Sequence, residues 1–213
     1  VYDALDAERP GFLEVPIIPQ TPVLADRPAG DDLLAVTIDG EFPEGEWDDA
    51  SVYEEFFESA GVNMTIATGI TPDGLHVLVG ADQGLSGDHG FDLYLATEAD
   101  ARARGTTLGG NLLGFAATNL YRWGLADPGS LQIADEMPRL GETEAVFTDD
   151  HPAASGALGE GIGVEFTIPI ADLGPVQAGD LVLFRLVPRL AGGEAGLLPV
   201  NGPGAGQVPD ISN

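Results

Sequence analysis

Cysteine is absent from this 213-residue chain, which excludes disulfides, iron–sulfur clusters, thiolate zinc sites and cysteine nucleophiles together. Lysine is absent too: the eight basic residues are all arginine, at positions 9, 27, 102, 104, 122, 139, 185 and 189. Against them stand 35 acidic residues, giving a net charge of −27. A chain this negative is repelled by phosphate backbones and anionic lipid headgroups, so neither nucleic acid nor a membrane surface is an expected partner. No apolar run approaches the roughly 18–20 residues that a spanning helix needs, so membrane insertion is not expected. Rings are scarce as well, with 2 Trp and 4 Tyr, which limits any ligand platform built from them. Val1-Tyr2-Asp3 carries neither a basic n-region nor an apolar h-region. An exported form, outside the cell or at its surface, would therefore be numbered from its mature end. Arginine to the exclusion of lysine fits a GC-rich coding bias. The sharper reading is adaptation to high salt, calcium or an acidic exterior, where excess carboxylates keep a surface hydrated.

What the chain does have is proline, glycine and alternation. Residues 1–34 hold Pro10, Pro16, Pro19, Pro22 and Pro28 around one apolar stretch containing Phe12, Val15, Ile17 and Ile18. Proline this dense blocks helix and central strand and favours extended backbone. The segment reads as a linker, or as an extended arm whose four apolar residues lie along another surface. From residue 35 to 213 the dominant period is two. Val62, Met64, Ile66, Thr68 and Ile70 alternate with smaller or polar residues, and Leu75, Val77, Val79 and Ala81 follow the Pro72-Asp73-Gly74 turn. This predicts a hairpin over 62–81. Phe91, Leu93 and Leu95 share a face, as do Val164, Phe166, Ile168 and Ile170. Phe115, Ala117, Asn119, Tyr121 and Trp123 are expected to line one face of a further extended run. Leu181 to Val187 is apolar on both faces, as in a central strand. Helix is confined to short pieces at 97–104 and 171–174, and 51–59 is either a short helix or an irregular strand. The Gly-rich end, 191–207, reads as loop. The expected fold class is all-β, an antiparallel β-sandwich of jelly-roll or immunoglobulin-like type with one or two short helices and an extended N-terminal arm. Ile66, Val77, Leu93, Phe166 and Leu183 are expected between its two layers.

Three stretches carry a family resemblance: Val36-Thr37-Ile38-Asp39-Gly40 through Trp47-Asp48-Asp49-Ala50; Gly90-Phe91-Asp92-Leu93-Tyr94-Leu95; and Val164-Glu165-Phe166-Thr167-Ile168-Pro169 through Leu173-Gly174 to Gly179-Asp180-Leu181. In order and spacing they resemble the carbohydrate-binding module family 9-like, or DOMON-like, β-sandwich superfamily over about residues 35–190. Asp39-Gly40 suits a tight turn, and Trp47 is expected to pack an edge of the core with its indole N–H bonded to a carbonyl. The resemblance implies sugar binding, haem binding in some electron-transfer members, or an accessory domain on a secreted enzyme, and fold alone does not choose among these. The family 9 modules clamp a sugar between two aromatic rings. Trp123 matches no motif that would carry this detail over.

Candidate sites follow from residue type. Tyr121, Arg122 and Trp123, with Asn119 on the same face as the rings, form the best local cluster for a glycan. A core strand with rings at its rim accounts for the same pattern. Asp82, Asp88 and Asp92 place three carboxylates within eleven residues among three glycines, an oxygen-rich loop that suits Ca²⁺ or a solvated turn. Glu41 to Glu58 holds eight carboxylates and no base, and reads as a hydrated face. Haem would need Met64, His76, His89 or Met137 to face a pocket. His76 has the parity opposite to Leu75 and Val77, towards solvent, and haem is not expected. No serine sits in a Gly-x-Ser-x-Gly elbow and no glycine tract resembles a phosphate loop, so no catalytic residue is assigned. The expectation is a non-enzymatic extracellular module that binds a glycan or surface polymer, with calcium stiffening the 82–92 loop. The alternative is a structural subunit of a surface layer or filament, a homo-polymer assembled by exchange of the N-terminal arm.

Overall fold

The structure is a computed structural model and describes residues 22–26, 34–82, 85–97, 105–138, 142–190 and 193–209. Among the described residues, twelve strands run β1 (Ser51–Phe57), β2 (Val62–Ile70), β3 (Gly74–Ala81), β4 (Gly90–Thr97), β5 (Asn119–Gly124), β6 (Asp127–Ala134), β7 (Phe147–Pro152), β8 (Ala154–Leu158), β9 (Gly161–Pro169), β10 (Leu181–Leu190), β11 (Gly193–Glu194) and β12 (Gly204–Gln207). A 3₁₀ turn, Ile170–Leu173, lies between β9 and β10. The first sheet has the order β1-β2-β3-β9-β8. The second has β11-β10-β4-β5-β6-β7, with β12 also pairing β10. The strand pairs are antiparallel, and the fold is a two-layer sandwich.

Alternation builds the space between the layers. Met64, Ile66, Val77, Val79, Val164 and Phe166 from the first sheet meet Phe91, Leu93, Tyr121, Trp123, Phe184 and Leu186 from the second. Phe91 stacks on Trp123 at a centroid distance of 5.4 Å. Each such buried ring or branched chain stabilises by about 1.5–3 kcal/mol relative to exposure. The 62–81 hairpin forms as β2 and β3, closed by reciprocal Thr71–Gly74 backbone bonds. β10 is apolar on both sides for a reason beyond the core. Val182, Phe184 and Leu186 face the first sheet, while Leu183 and Val187 face a second cluster on the sheet's outer side.

Several expectations are corrected. Leu183 is buried outside the layers, not between them. The extended run containing Tyr121 begins only at Asn119. Residues 105–118 fold back as a strap over the outer face of the second sheet, where Phe115 packs beside Tyr94 and Leu120. Of the two readings offered for residues 51–59, the strand is the one that forms, because Tyr53 and Phe57 alternate into the core along β1. The Gly-rich end supplies β11 and β12. Residues 34–50 form another strap, whose Trp47 and Ala50 pack with Ala67 and Leu78 on the outer face of the first sheet. Of the proposed helix at 97–104, Thr97 ends β4 and the rest lies outside the described residues, as do Phe12, Val15, Ile17 and Ile18 of the arm. Residues 22–26, also in the arm, lie against their own sandwich through Val23 N–H to Pro203 O and Asp26 N–H to Val52 O, both 2.8 Å.

Candidate functional site

The outer face of the second sheet carries charges where its strands otherwise read as apolar. Asp92 on β4 lies opposite Arg122 on β5, and Arg189 on β10 lies opposite Glu194 on β11. Strand register therefore sets a row of alternating sign across four strands. Asp92 is fully buried. Arg122 grips it as a fork, Nε to Oδ1 and Nη2 to Oδ2, both 2.7 Å, and Arg189 Nε approaches Oδ1 at 3.0 Å. Bidentate arginine–carboxylate pairs are the strong, geometry-fixing class of ion pair. A charge this deep must be paired, since an isolated buried carboxylate costs several kcal/mol.

Each arginine has a second anchor. The Arg122 guanidinium sits 4.3 Å over the Phe147 ring, and Arg189 Nη2 donates to the Trp123 carbonyl at 2.8 Å. That reach crosses Gly90. A Cβ there would stand 2.1 Å from the Trp123 oxygen and 2.9 Å from Arg189 Nη2, so only glycine fits. Burial works against the Arg122 charge, but the Asp92 hydrogen bonds and charge outweigh it and hold its pKa above the ordinary value. Burial lowers that of Arg189 despite the same carboxylate. After these bonds, Arg122 and Arg189 each keep an Nη1 group without a hydrogen bond to any described residue.

The strap supplies a wall. Glu194 accepts from Thr107 Oγ1 at 2.5 Å, Gly109 N at 2.6 Å and Asn111 Nδ2 at 2.9 Å. A Cβ on Gly109 would lie 2.5 Å from that carboxylate, so glycine is again what lets the strap approach. Tyr94 Oη accepts the Leu108 N–H at 3.0 Å, and burial, with the Asp92 charge second, raises the phenol's pKa. The result is a cavity of about 750 Å³ with Asp92, Arg122 and Arg189 at its floor, Leu108, Gly109 and Glu194 on one side, and Asp88, His89 and Glu144 among its other lining residues. Its size falls in the range of small-molecule sites. A groove of about 390 Å³ lined by Asp135, Met137 and Glu142 adjoins it through the shared Glu144 and Ala145.

The sequence candidates fare unevenly. Arg122 is in the cavity, but Tyr121 and Trp123 point the other way, each 1% exposed. Trp123 donates its indole N–H to Pro128 O, and burial followed by the Asp172 charge pushes the Tyr121 hydroxyl up to about 12. The two rings belong to the core and offer no face to a sugar. Asn119 shares their side and donates to the Asp172 carbonyl. The three proposed calcium ligands do not converge. Asp92 is taken by two arginines, Asp82 accepts the Asn63 amide at 2.9 Å, and Asp88 is exposed beside the cavity. Among the described residues, no group of three His, Asp or Glu could hold a metal ion. Gln83 and Gly84 of that loop lie outside them. Met64 is buried in the core, and Met137 packs on the second cluster. His76 faces outward as its parity requires, yet it is half-buried between the Thr71 and Thr167 hydroxyls, each at 2.8 Å. Arg189, Glu194 and the pairing role of Asp92 were missed. The available signal was a charged residue inside a strand apolar on both faces, which must find a partner.

A double-layered antiparallel sandwich bearing a polar cavity on one outer face is the class this architecture defines. Among solved structures, the chain is similar to a carbohydrate binding module family 9 from Caldicellulosiruptor kristjanssonii in complex with cellotriose. There the TM-score is 0.55 at 14% identity over 85% of this chain and 93% of that one. The same module in complex with glucose matches with a TM-score of 0.56 at 14% identity, over 91% and 98% of the two chains. The fold is therefore that of the family 9 modules. No protein-family model matches the sequence, and no significant match is found among curated proteins.

Proposed function

We propose that this chain is a non-catalytic carbohydrate-binding module whose sugar enters the cavity on the outer face of the second sheet. The observation that carries the reading is the pair of arginines fixed on the buried Asp92, each with an Nη1 donor to spare. A sugar presents many hydroxyl oxygens within a small volume. Rigid guanidinium forks held by a buried carboxylate can donate to them without first losing side-chain entropy. Asp92 and Glu194 are tied down by ion pairs and hydrogen bonds, an arrangement suited to holding a ligand more than to moving protons. The structural neighbours, solved in complex with cellotriose and glucose, support the ligand class. With Tyr121, Trp123 and Trp47 all buried, affinity in this cavity rests on hydrogen bonding more than on ring stacking.

Titration of the ¹⁵N-labelled protein with glucose and cellotriose tests this. Amide shifts confined to the cavity lining, at His89, Gly109, Arg122, Ala145 and Gly193, are the expected result. A spectrum unmoved by either sugar, or shifts on the outer face of the first sheet, would reject the site.

A further inference from the structure

The charge of the cavity is decided at its mouth. In the floor row, Arg122 and Arg189 are balanced by Asp92 and Glu194, two charges of each sign. His89 accepts the Ser86 N–H on Nδ1 at 3.1 Å. Among the described residues, the remaining charged groups of the lining are Asp88 and Glu144, both exposed and both without a hydrogen bond or ion pair to any described residue. They approach from different parts of the chain, the β3–β4 connection and the segment before β7. A neutral floor under two unpaired carboxylates gives the entrance a negative potential, in a molecule already at −27.

We propose that Asp88 and Glu144 are specificity-determining residues that select sugars by charge, favouring amino sugars, admitting neutral ones and rejecting uronates. This rests on the sugar-binding reading above and adds the ligand's charge to it. The two arginines would otherwise invite a carboxylate ligand, since arginine–carboxylate forks are favourable. Asp92 and Glu194 already neutralise them, so a uronate would gain little at the floor while meeting like charge at the entrance. An ammonium group meets the opposite sign there. The overall negative field acts in the same direction and, like the carboxylates at the mouth, weakens as salt shortens the Debye length.

Calorimetric titration of the wild-type chain and of an Asp88→Asn, Glu144→Gln double variant tests the assignment in low salt. The probes are glucose, glucosamine in its protonated form, and glucuronate. Both side chains are exposed, so the variant should keep the fold, and glucose reports whether the cavity still takes a sugar in each protein. The wild type is expected to prefer glucosamine over glucuronate. The double variant should reduce that ratio about two- to fivefold per carboxylate, the range that an exposed charge pair supports. Added salt should narrow the wild-type ratio too. Glucose binding with an unchanged glucosamine-to-glucuronate ratio in the variant would overturn the charge selection and leave the sugar site standing. Failure of all three sugars to bind the wild type would remove the sugar site and the selection together.

Discussion

The outer faces of the two sheets solve one problem in opposite ways. Each is covered by a strap, residues 34–50 on the first and 105–118 on the second. Each hides one fully buried carboxylate, Glu165 on β9 and Asp92 on β4. Glu165 Oε1 accepts two backbone amides of its strap, from Asp39 at 2.7 Å and Gly40 at 2.6 Å, which pins the turn onto the sheet. Trp47, Ala50 and Leu78 then close the face. Asp92 instead recruits two arginines from neighbouring strands. Arginines need room, and the second strap stands off on Glu194 and leaves a cavity. A carboxylate held by backbone amides seals a surface. One held by arginine side chains leaves spare donors facing a cavity.

Three experiments break or sharpen this contrast. The largest effect is expected at Asp92. Asp92→Asn leaves two guanidiniums side by side without their counter-ion, and removing one partner of a buried ion network costs about 3 kcal/mol or more. Urea unfolding should show that loss, and sugar binding should go with it, since the forks are no longer aimed. A variant with wild-type stability would mean the cluster is solvated.

Trp47→Ala comes next. It empties part of the cluster beneath the first strap and should cost about 2–3 kcal/mol, less than removing a ring from the main core. Sugar-induced amide shifts should survive it unchanged, because the first sheet's outer face takes no part in the site. Loss of those shifts in a folded variant would contradict the division of labour between the two faces.

The smallest effect is the pH dependence of the Glu165 latch. Burial, with the Asp39 and Gly40 amides partly opposing it, raises this carboxyl above its ordinary pKa, and the nearby Glu46 and Asp39 add to the rise. The folded state therefore binds the proton more tightly than the unfolded chain. Stability from this group is full below the ordinary glutamate range and is lost as pH climbs through the raised value. Glu165→Gln keeps an amide-accepting oxygen and removes the titration, so its unfolding midpoint should be flatter with pH over that window than the wild type's. Parallel curves would show that the latch does not titrate.

Much of the fold was legible because β-strand alternation is a local signal. Val62 to Ile70, Phe91 to Leu95 and Val164 to Ile168 declare their inward faces within a few residues. The parity of Tyr121-Arg122-Trp123 was equally legible, but its direction was not. With rings at two positions and a cation between them, the same alternation describes a ring platform or a core strand. The choice depends on what lies across from each face. Asp92 shows the same gap: its parity sets it opposite Phe91 and Leu93, but its own strand does not say that Arg122, Arg189 and the strap of residues 105–118 come to bury it.

The sequence by itself therefore determined the two sheets, the main core and the excess of surface carboxylate, because these follow from side-chain period and charge count. Only the tertiary structure decided which outer face is sealed and which holds a cavity. It also decided that Asp92 meets Arg122 and Arg189. Those outcomes depend on strands far apart in the chain arriving in register, and on where the straps between them come to rest. The free energy of a buried charge depends on the partners brought to it and not on its neighbours in sequence.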